Sequence, residues 1–372
     1  LLPRALALAI GGFDPEFAPA YGEDSDMAFR LRAMGLATLY QPLSRVVHYE
    51  GITSGTDTST GVKAYQVVNA EKLKQRWAHV LPHQGANGEN PDSAVERGRI
   101  GRVLVIDQIT PETDKDAGSI TALELMLALR NLGYKVAFVP CSNFTYIPDY
   151  TDVLGALGIE SVLFPWTRSV EDHLKQVGDV YDAVVIFRVN TAFETIDAIR
   201  KGAPRAKVIF HNSDLHFLRE ERAQAVDNPN VAERGLSAPA TKGRELSVIA
   251  GSDVTIVHSH FEKALLAEYV PAVPVVVFPW VYEPRGAGAP WSERRDVVFL
   301  GGYRHYPNVD AVLHYARDVA PVLDARMHGI RFRAIGSNPT PEMTALASDT
   351  LVIEGFVDDL QPVLSNARVM LV

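Results

Sequence analysis

The chain has 372 residues, 47% apolar and 22% charged, which is ordinary for a folded protein and long enough for two or three domains with cores of their own. Its formal charge of −9 argues against a general nucleic-acid or anionic-membrane binder, and a single cysteine, Cys141, excludes an internal disulfide and fits a reducing compartment. No stretch supplies the roughly 18 apolar residues of a membrane-crossing helix, because Pro271, Pro274 and Pro279 break the most apolar one, 270–282.

Residues 11–26 read Gly-Gly-Phe-Asp-Pro-Glu-Phe-Ala-Pro-Ala-Tyr-Gly-Glu-Asp-Ser-Asp and lead into a helical stretch. Glu23, Asp24 and Asp26 crowd one turn there. Like charges this close raise one another's pKa, so the turn suits a base, a metal ligand or a solvated helix start favoured by the helix dipole. Val-Val-His-Tyr-Glu-Gly follows at 46–51, with His48 either a ligand or a structural residue after a strand. Residues 78–99 have almost no apolar periodicity and are rich in Gly, Asn and Pro, which reads as a linker.

From Arg102 the texture changes. Strands are predicted at 103–107, 135–140, 161–164, 183–187, 207–210, 254–258 and 273–278, with helices at 120–132, 170–177, 191–201 and 261–269. Near-continuous Val/Ile/Leu runs separated by helices indicate a parallel sheet covered on both faces, binding ligands at the carboxyl ends of its strands. A second set has strands at 297–300, 330–335, 351–353 and 369–372 and helices at 309–323, 341–347 and 359–364. Between the sets, 279–295 carries three prolines and two glycines and reads as a hinge. Right-handed crossovers are expected throughout.

A dinucleotide-binding dehydrogenase would place G-x-G-x-x-G after the first strand. Here that segment is Gln-Ile-Thr-Pro-Glu-Thr-Asp-Lys-Asp-Ala-Gly-Ser, with one glycine, and there is no phosphate-binding P-loop. Gly118, opening the first helix, lets backbone approach a ligand at a helix N-terminus, though an ordinary helix start looks the same. His216 and Ser259 lie just past strand ends over the expected cleft, where capping and packing residues also sit. Gly301 and Gly302, followed by Arg304 and His305, offer a close-approach loop with cations for a diphosphate; a solvated turn is the alternative.

Two resemblances follow from these segments. Gly11-Gly12-Phe13-Asp14, Glu23-Asp24-Ser25-Asp26 with Arg30, and Val46-Val47-His48-Tyr49-Glu50-Gly51 resemble the second half of a family 2, GT-A glycosyltransferase. Asp116-Ala117-Gly118-Ser119, His211 to Arg219, Ser252 to Ser259, Phe299 to Asp310 and Gly355 to Leu360 resemble the family 4, GT-B glycosyltransferases. The resemblance implies an α/β protein: a partial GT-A module (1–77), a linker (78–99), and a GT-B module of two Rossmann-like domains (100–283 and 284–372), the second truncated. It implies Asp24, with Glu23, as the base for the acceptor hydroxyl, and His48 and Asp26 as ligands of a divalent metal (Mg or Mn). In the GT-B module it implies catalysis at His216, donor binding by Gly118, Ser259, Gly301, Gly302 and Arg304, and no cofactor.

The pattern departs from family 4 at the diphosphate cations: Gly302 and Asn308 stand about where Arg and Lys are usual, leaving Arg304 as the substitute. The GT-A Asp-x-Asp motif would precede Leu1 and the E-x7-E pair that grips the donor ribose would follow Val372, so this sequence is expected to be a piece of a longer protein. The implied function is transfer of sugars from nucleotide-diphosphate sugars to a glycan or lipid-linked acceptor in a bacterial envelope polysaccharide or glycolipid. It would act in the cytoplasm, with peripheral attachment at the inner face of the membrane through other parts and no nucleic-acid partner. The piece alone is expected to bind donors weakly and turn over neither reaction. The rivals are a non-catalytic nucleotide-sugar or glycan-binding scaffold, and a sugar-nucleotide epimerase of GT-B fold, against which residues 1–77 argue.

Overall fold

A computed structural model describes residues 2–39, 44–47, 49, 57–85, 96, 98–225, 238–280, 286 and 288–372. They fall into two compact units, Leu1–Ile100 and Gly101–Val372.

The first unit is helical, with no strand among its described residues: α1 (Arg4–Ala9), α2 (Glu23–Ala33) and α3 (Tyr65–Arg76), with 3-10 turns at Pro15–Phe17, Val62–Ala64 and Leu81–His83. Gly22, at φ 90°, turns the chain into α2, whose first turn carries Glu23, Asp24 and Asp26, where the macrodipole favours acids. Phe17 and Trp77 are its buried apolar centre. Asn69 on α3, fully buried, donates to the carbonyls of Phe17 and Ala20 at 2.8 Å each and so fixes the loop before α2.

The second unit is mixed α/β, built on two parallel sheets of Rossmann-like kind. The first has seven strands: β1 (Arg102–Asp107), β2 (Lys135–Pro140), β3 (Glu160–Ser161), β4 (Ala183–Phe187), β5 (Lys207–His211), β6 (Val254–Val257) and β7 (Val275–Val277), in the order β3-β2-β1-β4-β5-β6-β7. Alternation explains why the central strands are apolar throughout. Leu104, Ile106, Val184 and Ile186 enter one core layer, and Val103, Val105, Val185 and Phe187 enter the other. Helices α4 (Ala117–Asn131), α5 (Pro148–Ala156), α6 (Val170–Val177), α7 (Val189–Gly202), α8 (His216–Ala225), α9 (Ala238–Gly251) and α10 (His260–Tyr269) connect the strands.

The second sheet has four parallel strands, β8 (Asp296–Leu300), β9 (Phe332–Ile335), β10 (Leu351–Gly355) and β11 (Ala367–Leu371), ordered β10-β9-β8-β11. Its helices are α11 (Tyr306–His314), α12 (Ala320–Arg326), α13 (Pro341–Thr344) and α14 (Gln361–Asn366). The single helix expected at 309–323 is instead α11 and α12 joined by a π turn, Tyr315–Val319. Pro321 has no N–H to donate and its ring crowds the preceding turn, so the regular ladder cannot pass through it. The expected hinge at 279–295 lies partly outside the described residues.

Candidate functional site

In the first unit the three clustered acids have different surroundings. Asp24 is exposed, its carboxylate accepting, among the described residues, only from the Ser25 amide at 2.6 Å and the Ser25 hydroxyl at 3.3 Å. Glu23 is half-buried, with one carboxylate oxygen buried and without a partner. Asp26 is fully buried, ion-paired to Arg30 at 2.8 Å and Arg76 at 3.0 Å, and accepts from the Trp77 indole at 2.9 Å. Arg30 in turn donates to the carbonyls of Ile10 and Gly12, while Arg76 also pairs with Asp14 and Glu16. Asp26 therefore ties the Gly-Gly-Phe-Asp segment to α2 and α3. Its expected metal partner, His48, lies outside the described residues, as does Gly51.

The first sheet reverses direction of growth between β1 and β4, the position where open α/β sheets hold ligands. Asp107 ends β1, and Arg188 follows β4 at φ 66°, a conformation strained for a residue with a side chain. Arg188 is held there by Asp107 at 2.8 Å and Asp116 at 3.3 Å. Asp116 also caps α4, accepting from the Ser119 amide at 3.0 Å. Burial raises the Asp107 pKa against the pull of Arg188. Burial opposes charge on Asp116 as well, but the Ser119 hydrogen bonds and Arg188 bring its carboxyl below the usual range. Gly118 lies inside this knot, for a Cβ there would come within 2.9 Å of Asp116 Oδ1 and 3.2 Å of an Arg188 nitrogen.

Further along the same edge, just past β5, His216 opens α8. Its Nδ1 is 3.1 Å from the Asp214 carbonyl and 3.6 Å from the Glu245 carboxylate, and fully buried Glu245 on α9 accepts from the His216 and Phe217 amides. Burial disfavours the imidazolium, yet Glu245 and Asp214 outweigh it and raise the His216 pKa. Ser259 is the N-cap of α10 in a reciprocal capping box with Glu262, so its hydroxyl is engaged by the helix. Cys141 is half-buried at the end of β2, and burial, with Glu194 and Asp107, raises its thiol pKa, unlike an activated nucleophile.

At the ends of β4 to β7 four rings pack in sequence. Phe187 stacks on His211 at 4.3 Å, His211 lies 5.1 Å from His258, and His258 stacks on Trp280 at 4.1 Å. Among the described residues neither nitrogen of His211 and neither amide atom of Asn212 has a hydrogen-bond partner, although both residues are buried. Each such atom costs about 1–3 kcal/mol when unpaired. Burial, then the neighbouring His258, drives the His211 pKa down to about 3. Between pH 6.5 and that value the unfolded chain takes up a proton that folded His211 refuses, so its share of stability is whole above pH 6.5 and falls below it. His173 on α6, also lowered by burial, acts in the same sense, and His216 in the opposite one. Urea unfolding of His211→Phe should therefore lose less stability than the native chain between pH 7.5 and 5.0, by up to about 1.4 kcal/mol per pH unit. Equal pH slopes would contradict a neutral buried His211.

In the second sheet, β8 runs into Gly301 and Gly302. A Cβ on Gly301 would come within 2.6 Å of the Asn308 amide, whose nitrogen donates to the Gly302 carbonyl at 2.9 Å. Gly336, after β9 at φ 152°, lies so close that a Cβ would be 1.8 Å from the Gly301 oxygen. A Cβ on Gly302 would instead meet nothing nearer than 3.9 Å. Tyr303 is buried beside Gly336 with its hydroxyl unpartnered, and burial raises its phenol pKa strongly. Arg304 is exposed. The expected site residues thus form two groups: Gly118, His216 and Ser259 along the first sheet's carboxyl edge, and Gly301, Gly302 and Arg304 after β8. The residues that sequence reasoning passed over are Arg188, His211, Asn212, Glu245, Trp280 and Gly336.

No family model matches the chain and no curated protein does. Solved structures with a similar arrangement of elements are glycosyltransferases, at low similarity. One is an α-glucosyltransferase in complex with UDP and a 13-mer DNA (14% identity, TM-score 0.33, 66% of this chain and 59% of that one). Another is Anabaena HepE in complex with UDP (11%, 0.45, 72% and 73%). A third is a mutant O-GlcNAc transferase from Thermobaculum terrenum (14%, 0.45, 82% and 54%). The chain therefore spans less than two thirds of the first and third. No described helix is long and apolar enough to cross a membrane.

Proposed function

We propose that the second unit is the nucleotide-sugar-binding part of a GT-B glycosyltransferase, preceded in the same polypeptide by the acceptor-side part of a GT-A glycosyltransferase. One observation carries the reading. The carboxyl end of β8 is stripped of side chains at Gly301 and Gly302 and braced from behind by Gly336, leaving open backbone at Gly302 beside an exposed cation, Arg304. That arrangement suits a diphosphate, which needs close backbone approach and positive charge. The order of the sequence motifs supports the same class. The donor would lie between Gly301, Gly302 and Arg304 on one side and Gly118, His216 and Ser259 on the other, with the acceptor a glycan or lipid-linked glycan at the cytoplasmic face of a bacterial membrane.

In the GT-A part, Asp24 would accept the proton of the acceptor hydroxyl as its oxygen attacks the anomeric carbon and the bond to the diphosphate breaks, giving inversion. Exposed Asp24 is free for that contact and buried Asp26 is not. In the GT-B part transfer would proceed with retention. Of the two side chains expected to hold a divalent ion, His48 lies outside the described residues. Asp26 is engaged by two guanidinium groups and an indole, and no group of three His, Cys, Asp or Glu side chains among the described residues is placed to hold a metal.

The test is calorimetric titration of the chain with UDP, GDP, ADP and dTDP and their sugar conjugates. Arg304→Ala should weaken the best of these roughly ten- to hundredfold, the scale of one charge-assisted contact. Binding that is unchanged would make Arg304 a surface residue, and the absence of binding by any nucleotide would favour a glycan-binding scaffold.

A further inference from the structure

The ring row at the ends of β4 to β7 gathers buried polar atoms that packing alone does not call for. Phe187, His211, His258 and Trp280 supply one ring from each successive strand end, with centroids 4.3, 5.1 and 4.1 Å apart. Those separations are close to the roughly 4.8 Å between neighbouring strands, so the sheet itself stacks the rings. A phenyl ring suits such a row, as Phe187 does, and His211 in the next place carries two nitrogens that the protein leaves unpaired. Asn212 adds an unpaired amide oxygen and nitrogen at the same strand end, and His258 adds an unpaired Nε2. Buried polar atoms are nearly always satisfied, and here they gather at the edge where parallel sheets take ligands.

The hydrogen-bonding character of the row can be specified. His258 Nδ1 lies 2.8 Å from the Phe278 carbonyl, which can only accept, so Nδ1 carries the proton and, in the neutral ring, Nε2 is an acceptor. His211 is held neutral by its burial and offers one donor and one acceptor. Asn212 offers two donors and an acceptor. Trp280 closes the row at its open end, 40% exposed, with one face on His258.

We propose that His211, Asn212, His258 and Trp280 form a subsite for a neutral hydroxyl-bearing ring, a sugar, that enters beside Trp280 and takes its hydrogen bonds from the three polar side chains. The inference rests on the glycosyltransferase reading only in naming the ligand a sugar. The subsite is separate from the Gly301–Arg304 loop proposed for the diphosphate, and it makes His211 and Asn212 determinants of which sugar is accepted.

Ligand-observed NMR on the 372-residue chain, with methyl glycosides of glucose, galactose, mannose, rhamnose and N-acetylglucosamine, tests it, with the nucleoside diphosphates titrated in parallel. At least one glycoside should bind. His211→Phe, which keeps the ring stack, and Asn212→Leu should each weaken it tenfold or more, while nucleotide affinity is unchanged and His211→Phe melts no lower than the native chain. Trp280→Ala should weaken the glycoside and Trp280→Phe restore most of the loss. If nucleotides bind and no glycoside does, or if the variants bind glycoside like the native chain, the subsite is wrong and the glycosyltransferase reading stands. If glycoside binds and depends on His211 but no nucleotide binds, the subsite stands and the glycosyltransferase reading falls. If neither class binds, both fall.

Discussion

Asp26→Ala should unfold the helical first unit while Asp24→Asn, two residues away, leaves it intact. The Asp26 carboxylate is fully buried and is the common acceptor of Arg30, Arg76 and Trp77. Its removal leaves two guanidinium groups and an indole without their shared anion. Breaking a buried pair from one side costs about 3–5 kcal/mol, a large part of a small unit's stability. Asp24 is exposed and, among the described residues, bonds only to Ser25, so Asn there keeps shape and loses the base. Hydrogen exchange of the α2 and α3 amides reads the difference. Protection should vanish in Asp26→Ala and persist in Asp24→Asn, and the latter should abolish transfer by this module. Persistent protection in Asp26→Ala would mean that Asp14 and Glu16 suffice to hold Arg76. Transfer near the native rate in Asp24→Asn would assign the base elsewhere.

The pair also shows which properties the sequence carries. Glu23, Asp24 and Asp26 are equally acidic in the sequence, and only three-dimensional partners single out Asp26 as the anchor: Arg76 ends α3 and Trp77 follows it, about fifty residues further on. The parallel sheets were legible because both faces of β1 and β4 are buried, which makes their Val/Ile/Leu runs continuous. Edge strand β3 was less so. The predicted 161–164 became Glu160–Ser161, since an edge strand with one partner is defined by pairing more than by residue type. Helices α5 and α9 went unread because Pro148, Pro239 and Gly243 look like breakers, although proline suits a first helical turn. Ser259 and Glu262 are a capping box readable from their spacing alone. Arg188 and Glu245 gave no signal, since their meaning lies in Asp107, Asp116 and the α8 amides, which are remote in sequence. His211 and Asn212 were inside a recognised segment but draw interest only once their burial without partners is seen.

Two glycines of the second sheet should separate folding from binding. Gly336→Ala puts a Cβ 1.8 Å from the Gly301 oxygen and 2.7 Å from its carbonyl carbon, and does so at φ 152°, where a side chain is itself strained. The obstacle is backbone, so no rotamer change relieves it. The ends of β8, β9 and β10 are laced together here by Gly301 N to Ile335 O at 3.0 Å and Gly336 N to Gly355 O at 2.8 Å, and the loop cannot withdraw without breaking that lacing. Overpacking and strain together should cost about 2–5 kcal/mol, read as a lower urea midpoint, and nucleotide binding should go with it. Gly302→Ala meets only the Ser337 hydroxyl at 3.9 Å and should melt like the native chain. If a diphosphate lies against the Gly302 backbone, that same methyl group occupies its place, and affinity should fall about tenfold or more with no change in stability, the loss of roughly one good contact. Undiminished affinity in Gly302→Ala would move the phosphates off this loop. Native-like stability in Gly336→Ala would show that β9 can shift away from β8, and the brace behind the proposed donor site would be lost as an argument.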